Sequence, residues 1–228
     1  MENIYWLLRL IRDFLWVFIG LIGRPFFIKN YFKNNSVRCL HVGCGPILLK
    51  NWLNTDILPK PFIMTYINAK NKLPFANETF DYIYSEHVIE HIPIEFGRKF
   101  IFECSRVLKP GGKLRIATPD LQFLINLYNK PTQKDNLEYS NWVYNSIPTV
   151  RRFGTAVIIN NFMHSWGHKF IYDQTALTEM MQEAKFKVVT RTPCGESDDS
   201  VLVDLEQHGT VISKQFNILE TMVLECQK

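Results

Sequence analysis

The sequence predicts an α/β domain built on an open sheet, and three observations carry that expectation. Residues 37–46, Val-Arg-Cys-Leu-His-Val-Gly-Cys-Gly-Pro, read as a buried strand running into a glycine turn. The next strand-like run, at 52–57, holds an acid, Asp56, eleven residues after Gly45. Further strand-like runs then alternate with helical patterns, and 228 residues suit one such domain with additions. In open α/β sheets ligands sit outside the carboxyl ends of the strands, so the turn at Gly43 and Gly45 is the expected binding rim.

Composition narrows the class. With 46% hydrophobic and 21% charged residues a packed core is expected. A net charge of +4 is too mild to argue for a nucleic-acid partner. The five cysteines, Cys39, Cys44, Cys104, Cys194 and Cys226, are odd in number and scattered, so they read as reduced thiols in a cytoplasmic protein.

The elements follow in order. Residues 4–23 are strongly apolar, with Arg9, Arg12 and Asp13 sharing one side of a helix. Arg24-Pro25 is expected to end that helix, and residues 1–30 are set apart from a domain at 31–228. The run lacks the flanks of a signal peptide, and its uninterrupted part is too short for a span. Two readings stay open for it: contact with a membrane surface, at the inner face, or packing on the domain. Lys29, Lys33 and Arg38 follow and suit an anionic surface.

The runs at 37–42, 52–57, 62–67 and 80–85 are the first four strands, and 113–118 is the fifth. Between the last two, Phe96, Phe100, Ile101, Cys104 and Leu108 recur at helical spacing over 94–108, and Lys109-Pro-Gly-Gly112 turns the chain. Asp120 and Asp173 are placed to cap the helices that follow them. Residues 130–162 lack clear periodicity, so the stretch 130–170 is expected to be an irregular insertion or lid on the acceptor side. Within it, Arg151 and Arg152 are candidates to hold an acidic acceptor. The runs at 186–190 and 219–225 are the last strands, and the polar loop at 195–199 is a candidate lining of the acceptor site.

The order of short motifs is more specific than any one of them. Gly43-Cys-Gly45, Trp52-Leu-Asn-Thr-Asp56, Leu73-Pro-Phe75, Phe80-Asp81, Glu86-His87, Glu90-His91 and Leu108-Lys-Pro-Gly-Gly112 follow one another. This pattern resembles the class I S-adenosylmethionine (SAM)-dependent methyltransferases, most clearly over residues 37–118. The resemblance implies a Rossmann-like, seven-stranded, mostly parallel sheet with helices on both faces and the last strand antiparallel. It implies SAM as cofactor, with candidate contacts at His41, Gly43, Cys44, Gly45, Asp56, Asn68, Ser85 and Glu86. His41 and Ile47 depart from the general pattern, where an acid and a third glycine are common.

The residues themselves separate SAM from NAD. A dinucleotide fingerprint sets its acid about twenty residues past the glycines and offers a helix N-terminus to a pyrophosphate. Here the spacing is eleven and Pro46 follows at once, so that cradle is missing, and SAM needs none. His87, His91, His164 and His168 are the candidate general bases, since imidazole titrates near working pH. His87 to His91 also spells H-x-x-E-H, and His164 and His168 share the same spacing, but Pro93 cuts the first segment short and no metal is expected. The reading is methyl transfer to an oxygen or nitrogen of a small molecule or lipid-linked sugar, as in cell-surface polysaccharide synthesis. Its rivals are an NAD-type oxidoreductase and a non-catalytic membrane-surface module.

Overall fold

A computed structural model describes residues 2–147, 154–210 and 212–228, with side chains from residue 4 onward. Seven strands form one sheet: β1 (Cys39–Val42), β2 (Trp52–Asp56), β3 (Thr65–Tyr66), β4 (Phe80–Glu86), β5 (Leu108–Pro119), β6 (Lys187–Thr192) and β7 (Thr221–Gln227). Their order is β3-β2-β1-β4-β5-β7-β6. The pairs among β1 to β5 are parallel, and β7 runs antiparallel to both β5 and β6. The order in which strands are added reverses at β1, between β2 and β4, which is the switch point where such sheets bind ligands.

Alternation along the strands divides the core. Leu40, Val42, Ile83, Leu114, Ile116 and Leu224 join one cluster with Phe100, Ile101 and Cys104 of α2 (Ile94–Val107) and Leu177 and Met181 of α6 (Gln174–Glu183). On the opposite side Tyr84 packs with Leu202 and Leu205, beside Leu49, Trp52 and Tyr82. A second cluster at the carboxyl end of the sheet joins α3 (Leu121–Asn129), α4 (Lys134–Ser146), α5 (Thr155–His164) and α7 (Lys214–Glu220). Asp120 caps α3 and Asp173 caps α6, each accepting a backbone N–H at 2.8 Å.

Several boundaries differ from expectation for identifiable reasons. The first helix, α1 (Glu2–Asn34), runs through Pro25 instead of ending there. Proline removes one helical hydrogen bond, but the helix is anchored beyond it: Ile28, Tyr31 and Phe32 reach the main core, and the Tyr31 hydroxyl accepts from the Cys39 N–H at 2.7 Å. The third strand is only Thr65–Tyr66, because residues 61–63 turn and Phe62 adopts φ 69°. The fifth strand starts at Leu108, so Pro110, Gly111 and Gly112 lie inside it, with a register shift against β4. The stretch expected to be irregular is largely helical, as α4 and α5. Arg151 and Arg152 lie outside the described residues.

Between β1 and β2 there is only a turn, without a crossover helix. The segment 193–210 covers that side instead, and it is fastened to the sheet by Arg115. The Arg115 side chain is fully buried and donates to Glu206 at 2.6 and 2.8 Å, to Glu225, and to the Glu196 carbonyl at 2.9 Å. The loop at 195–199 belongs to this packing: Asp199 accepts from Tyr82 at 3.0 Å and Lys113 at 2.8 Å. It therefore covers the sheet, where lining of the acceptor site was expected. Arg115→Leu leaves Glu206 buried without its cation, so urea unfolding should show a loss of about 3–5 kcal/mol. Joint replacement of Arg115, Glu206 and Glu225 by apolar residues of similar volume should recover much of it.

Candidate active site

The glycine turn is shaped by two left-handed residues, Gly43 (φ 71°) and Gly45 (φ 52°), conformations that other residues adopt at a cost. They do different work. A Cβ on Gly43 would lie 2.2 Å from Cγ2 of Val88, so this glycine admits a side chain of the protein. A Cβ on Gly45 would meet nothing within 4 Å, so the space that a ligand needs is above Gly45.

Asp56 ends β2 and turns its carboxylate to this bend. Its Oδ2 accepts the Gly45 N–H at 2.8 Å and its Oδ1 accepts the Leu58 N–H at 2.8 Å. The residue is half-buried, so lone pairs remain on both oxygens. Ser85 closes β4 nearby in register with Val42; it is 1% exposed and its hydroxyl has no partner. Asn68 follows β3 and its Oδ1 accepts the Lys70 N–H at 3.0 Å, which leaves its amide hydrogens free. An open glycine, a half-exposed carboxylate and an orphaned buried hydroxyl fit a nucleoside cofactor such as SAM.

Two of the expected contacts are buried away from the rim as side chains, and a third is engaged by another segment. His41 is 2% exposed, stacks on Tyr84 at 5.2 Å and bonds Asn54 at 3.0 Å. Burial pushes its pKa down to about 4, so it is a neutral core residue. The Cys44 thiol is buried 3.8 Å from the Met64 sulfur. Glu86 accepts the backbone N–H groups of Gln207 and His208, both at 3.0 Å, so it holds the covering segment. Phe75 packs edge-on against Phe80 in the core.

The histidines gather around a cavity of about 310 Å³. His87, His91, His168 and His208 line it with Tyr139, Trp142 and other apolar residues. His164, at the end of α5, is exposed and is not among the lining residues. His87 adopts φ 50°, and its Nδ1 lies 3.0 Å from Oε1 of Glu90, a fully buried carboxylate that also accepts from Thr118 at 3.1 Å. A carboxylate only accepts, so Nδ1 carries the hydrogen and Nε2 is left with a lone pair, which has no partner. Burial alone would depress the His87 pKa; the hydrogen bond and charge of Glu90, with Glu86 and Glu220, hold it above the ordinary value. Burial would likewise raise Glu90, but His87 keeps it below the usual carboxylate range.

His168 is fixed differently. Its Nδ1 donates to the Phe162 carbonyl at 2.6 Å, and burial lowers its pKa. Its ring meets His91 at 4.8 Å, so the structure pairs His91 with His168, where the sequence spacing paired His87 with His91 and His164 with His168. Donor atoms of Glu90, His91 and His168 lie within 4.8 Å of one another, but the Glu90 oxygens are already engaged by His87 and Thr118. Sequence reasoning missed His208, whose ring lies 4.1 Å from that of His87, and Glu220, which accepts from Tyr139 at 2.5 Å. Neither carries a local motif.

Residues 50–116 match the family model described as a methyltransferase domain, a segment that runs from just before β2 into β5. A stretch of 43 residues is 46% identical to an uncharacterized protein of Haemophilus influenzae; it spans 19% of this chain and 17% of that relative. Among solved structures, a SAM-dependent methyltransferase from Mesorhizobium loti superposes with a TM-score of 0.52 at 10% identity, covering 85% of this chain and 92% of that one. One from Archaeoglobus fulgidus reaches 0.47 at 16% identity, covering 92% and 93%. The strand order and the glycine rim define a class I methyltransferase-like fold. Within that fold, residues 50–116 are similar to a methyltransferase domain.

The dyad makes a titration prediction. Since Glu90 stabilises the imidazolium, His87 should be protonated below, and neutral above, a pKa higher than the ordinary histidine value of about 6.5. In nitrogen-edited NMR the His87 imidazole should titrate above that value. In Glu90→Gln the main opposition to burial is lost, leaving only Glu86 and Glu220, and the same ring should titrate lower than in the parent.

Proposed function

We propose that this protein transfers a methyl group from SAM to an oxygen or nitrogen nucleophile, with His87 as the general base. One observation carries the reading. Val88 packs on Gly43 of the cofactor rim while its neighbour His87 lines the cavity. The two subsites thus meet across a single peptide bond, as in-line transfer between two bound molecules requires.

When bound, SAM supplies an electrophilic methyl on a sulfonium centre. The chain has three tasks. The space above Gly45 and the Asp56 carboxylate hold the nucleoside, with ribose hydroxyls donating to Asp56. The apolar walls of the cavity, Tyr139, Trp142, Val143, Ile158 and Phe162, hold the acceptor body and exclude water. His87 takes the acceptor proton on Nε2 while Glu90 fixes the tautomer through Nδ1. The aromatic and aliphatic walls suit an acceptor with a ring or lipid portion, including a lipid-linked sugar of cell-surface polysaccharide synthesis. His168 is a second base, favoured by the bond from its Nδ1 to the Phe162 carbonyl, which leaves Nε2 as an acceptor.

Calorimetry of the whole chain with SAM, its demethylated product and NAD tests the cofactor. SAM and the product should bind and NAD should not; binding of NAD alone, or of none of the three, overturns the proposal. Asp56→Asn keeps the shape of the rim but removes the charge, and should weaken SAM by about tenfold or more. Unchanged SAM affinity in that variant removes Asp56 from the site.

A further inference from the structure

The first half of α1 has no packing partner among the described residues. From Ile4 to Ile19 only Asp13, Trp16 and Val17 are even half-buried, although this is one of the most apolar stretches of the chain. At about 100° per residue, the charged positions gather on one side. Arg9, Arg12, Asp13, Trp16 and Gly20 lie on one side. There Arg12 bonds Asp13 at 2.7 Å and lies over the Trp16 ring at 4.8 Å. Gly20 meets the domain on that same side, where a Cβ would lie 2.5 Å from Pro59. The other side, centred on Leu7, Ile11, Phe14, Phe18 and Ile22, points away from the domain.

We propose that this outward face of α1 lies in the surface of an anionic lipid bilayer, with the domain seated above it. Three features select this occupant. Exposed apolar side chains cover well over half of the circumference, wider than the stripe that a second helix would bury. Lys29 and Lys33 continue the line of Ile22 and Phe26 at intervals of three and four, so the apolar face ends in exposed cations facing the same way. And no helix among the described residues is long and apolar enough to cross a membrane, so the helix lies along the surface. None of these residues touches the methyl-transfer site, and the inference stands independently of that reading.

The test is flotation of the full-length protein with vesicles of phosphatidylcholine, with and without phosphatidylglycerol. The protein should float with the anionic vesicles and only weakly with the neutral ones. F14D/F18D, at exposed positions, should reduce vesicle binding by about tenfold or more. K29E/K33E should lower binding to anionic vesicles by about fivefold or more for each lysine, with little effect on neutral ones. Both variants should keep the far-UV spectrum, melting point and SAM affinity of the parent. Absence of flotation overturns the inference. So does a stable dimer that F14D/F18D dissociates and that vesicles do not compete away, which would assign the face to a second copy.

Discussion

The site depends on one buried cation. Arg115 lies in the middle of β5 with no exposure, and two carboxylates and a carbonyl converge on it from β7 and from the segment 193–210. Stripping water from a guanidinium is costly, and that cost is offset only when its hydrogen bonds are filled. Arg115 therefore fixes where the segment must lie. Once it lies there, the backbone N–H groups of Gln207 and His208 reach Glu86, and the His208 ring closes on His87. The face left bare by the missing helix between β1 and β2 is thus covered by a loop that also builds one wall of the histidine-lined cavity.

The glycine turn shows how a short motif divides its labour. Gly43 has no Cβ because Val88 occupies that volume; Gly45 has none because the space beyond it is open. Asp56 ties the turn down through the Gly45 N–H while keeping lone pairs free. A rim tied down through its own backbone in this way lowers the ordering cost of binding. The same economy explains why an acid only eleven residues past Gly45 suffices: with no intervening helix, β2 begins at once and carries Asp56 straight back to the turn.

The fold was legible because the strands announce themselves. Leu40, Val42, Ile83, Leu114 and Ile116 are buried and apolar, and the glycine turn marks where β1 ends. The helical lid was hidden because α4 buries Asn136 and Ser140 beside Tyr139 and Val143, so its inner face does not read as apolar. Pro25 misled for a local reason: the penalty it imposes is real, but tertiary contacts at Ile28, Tyr31 and Phe32 outweigh it. At the candidate site, the ends of the strands were legible, and the structure brings Asp56 to the glycine turn and His87 to the cavity. His41 was misjudged by one step of the pleat, since it alternates with Leu40 and Val42 onto the covered face, where it meets Tyr84. His208 and Glu220 could not be found, because distant segments bring them to the cavity.

With His87 as the base proposed above, the electrostatics of the cavity floor would favour deprotonation of an acceptor. Three carboxylates act on His87: Glu86, Glu90 and Glu220. Burial holds Glu86 and Glu220 above the usual carboxylate range, so both resist ionisation more than an exposed acid would. Glu90 alone is held below that range, by His87 itself. With the imidazole neutral, the floor therefore carries an uncompensated buried charge on Glu90. A proton taken from the acceptor onto Nε2 converts that lone charge into a hydrogen-bonded ion pair, which a poorly solvated site strongly prefers. Proton removal from the acceptor and relief of the buried charge would then be one event, with Nδ1 of His87, on a left-handed backbone, 3.0 Å from Glu90.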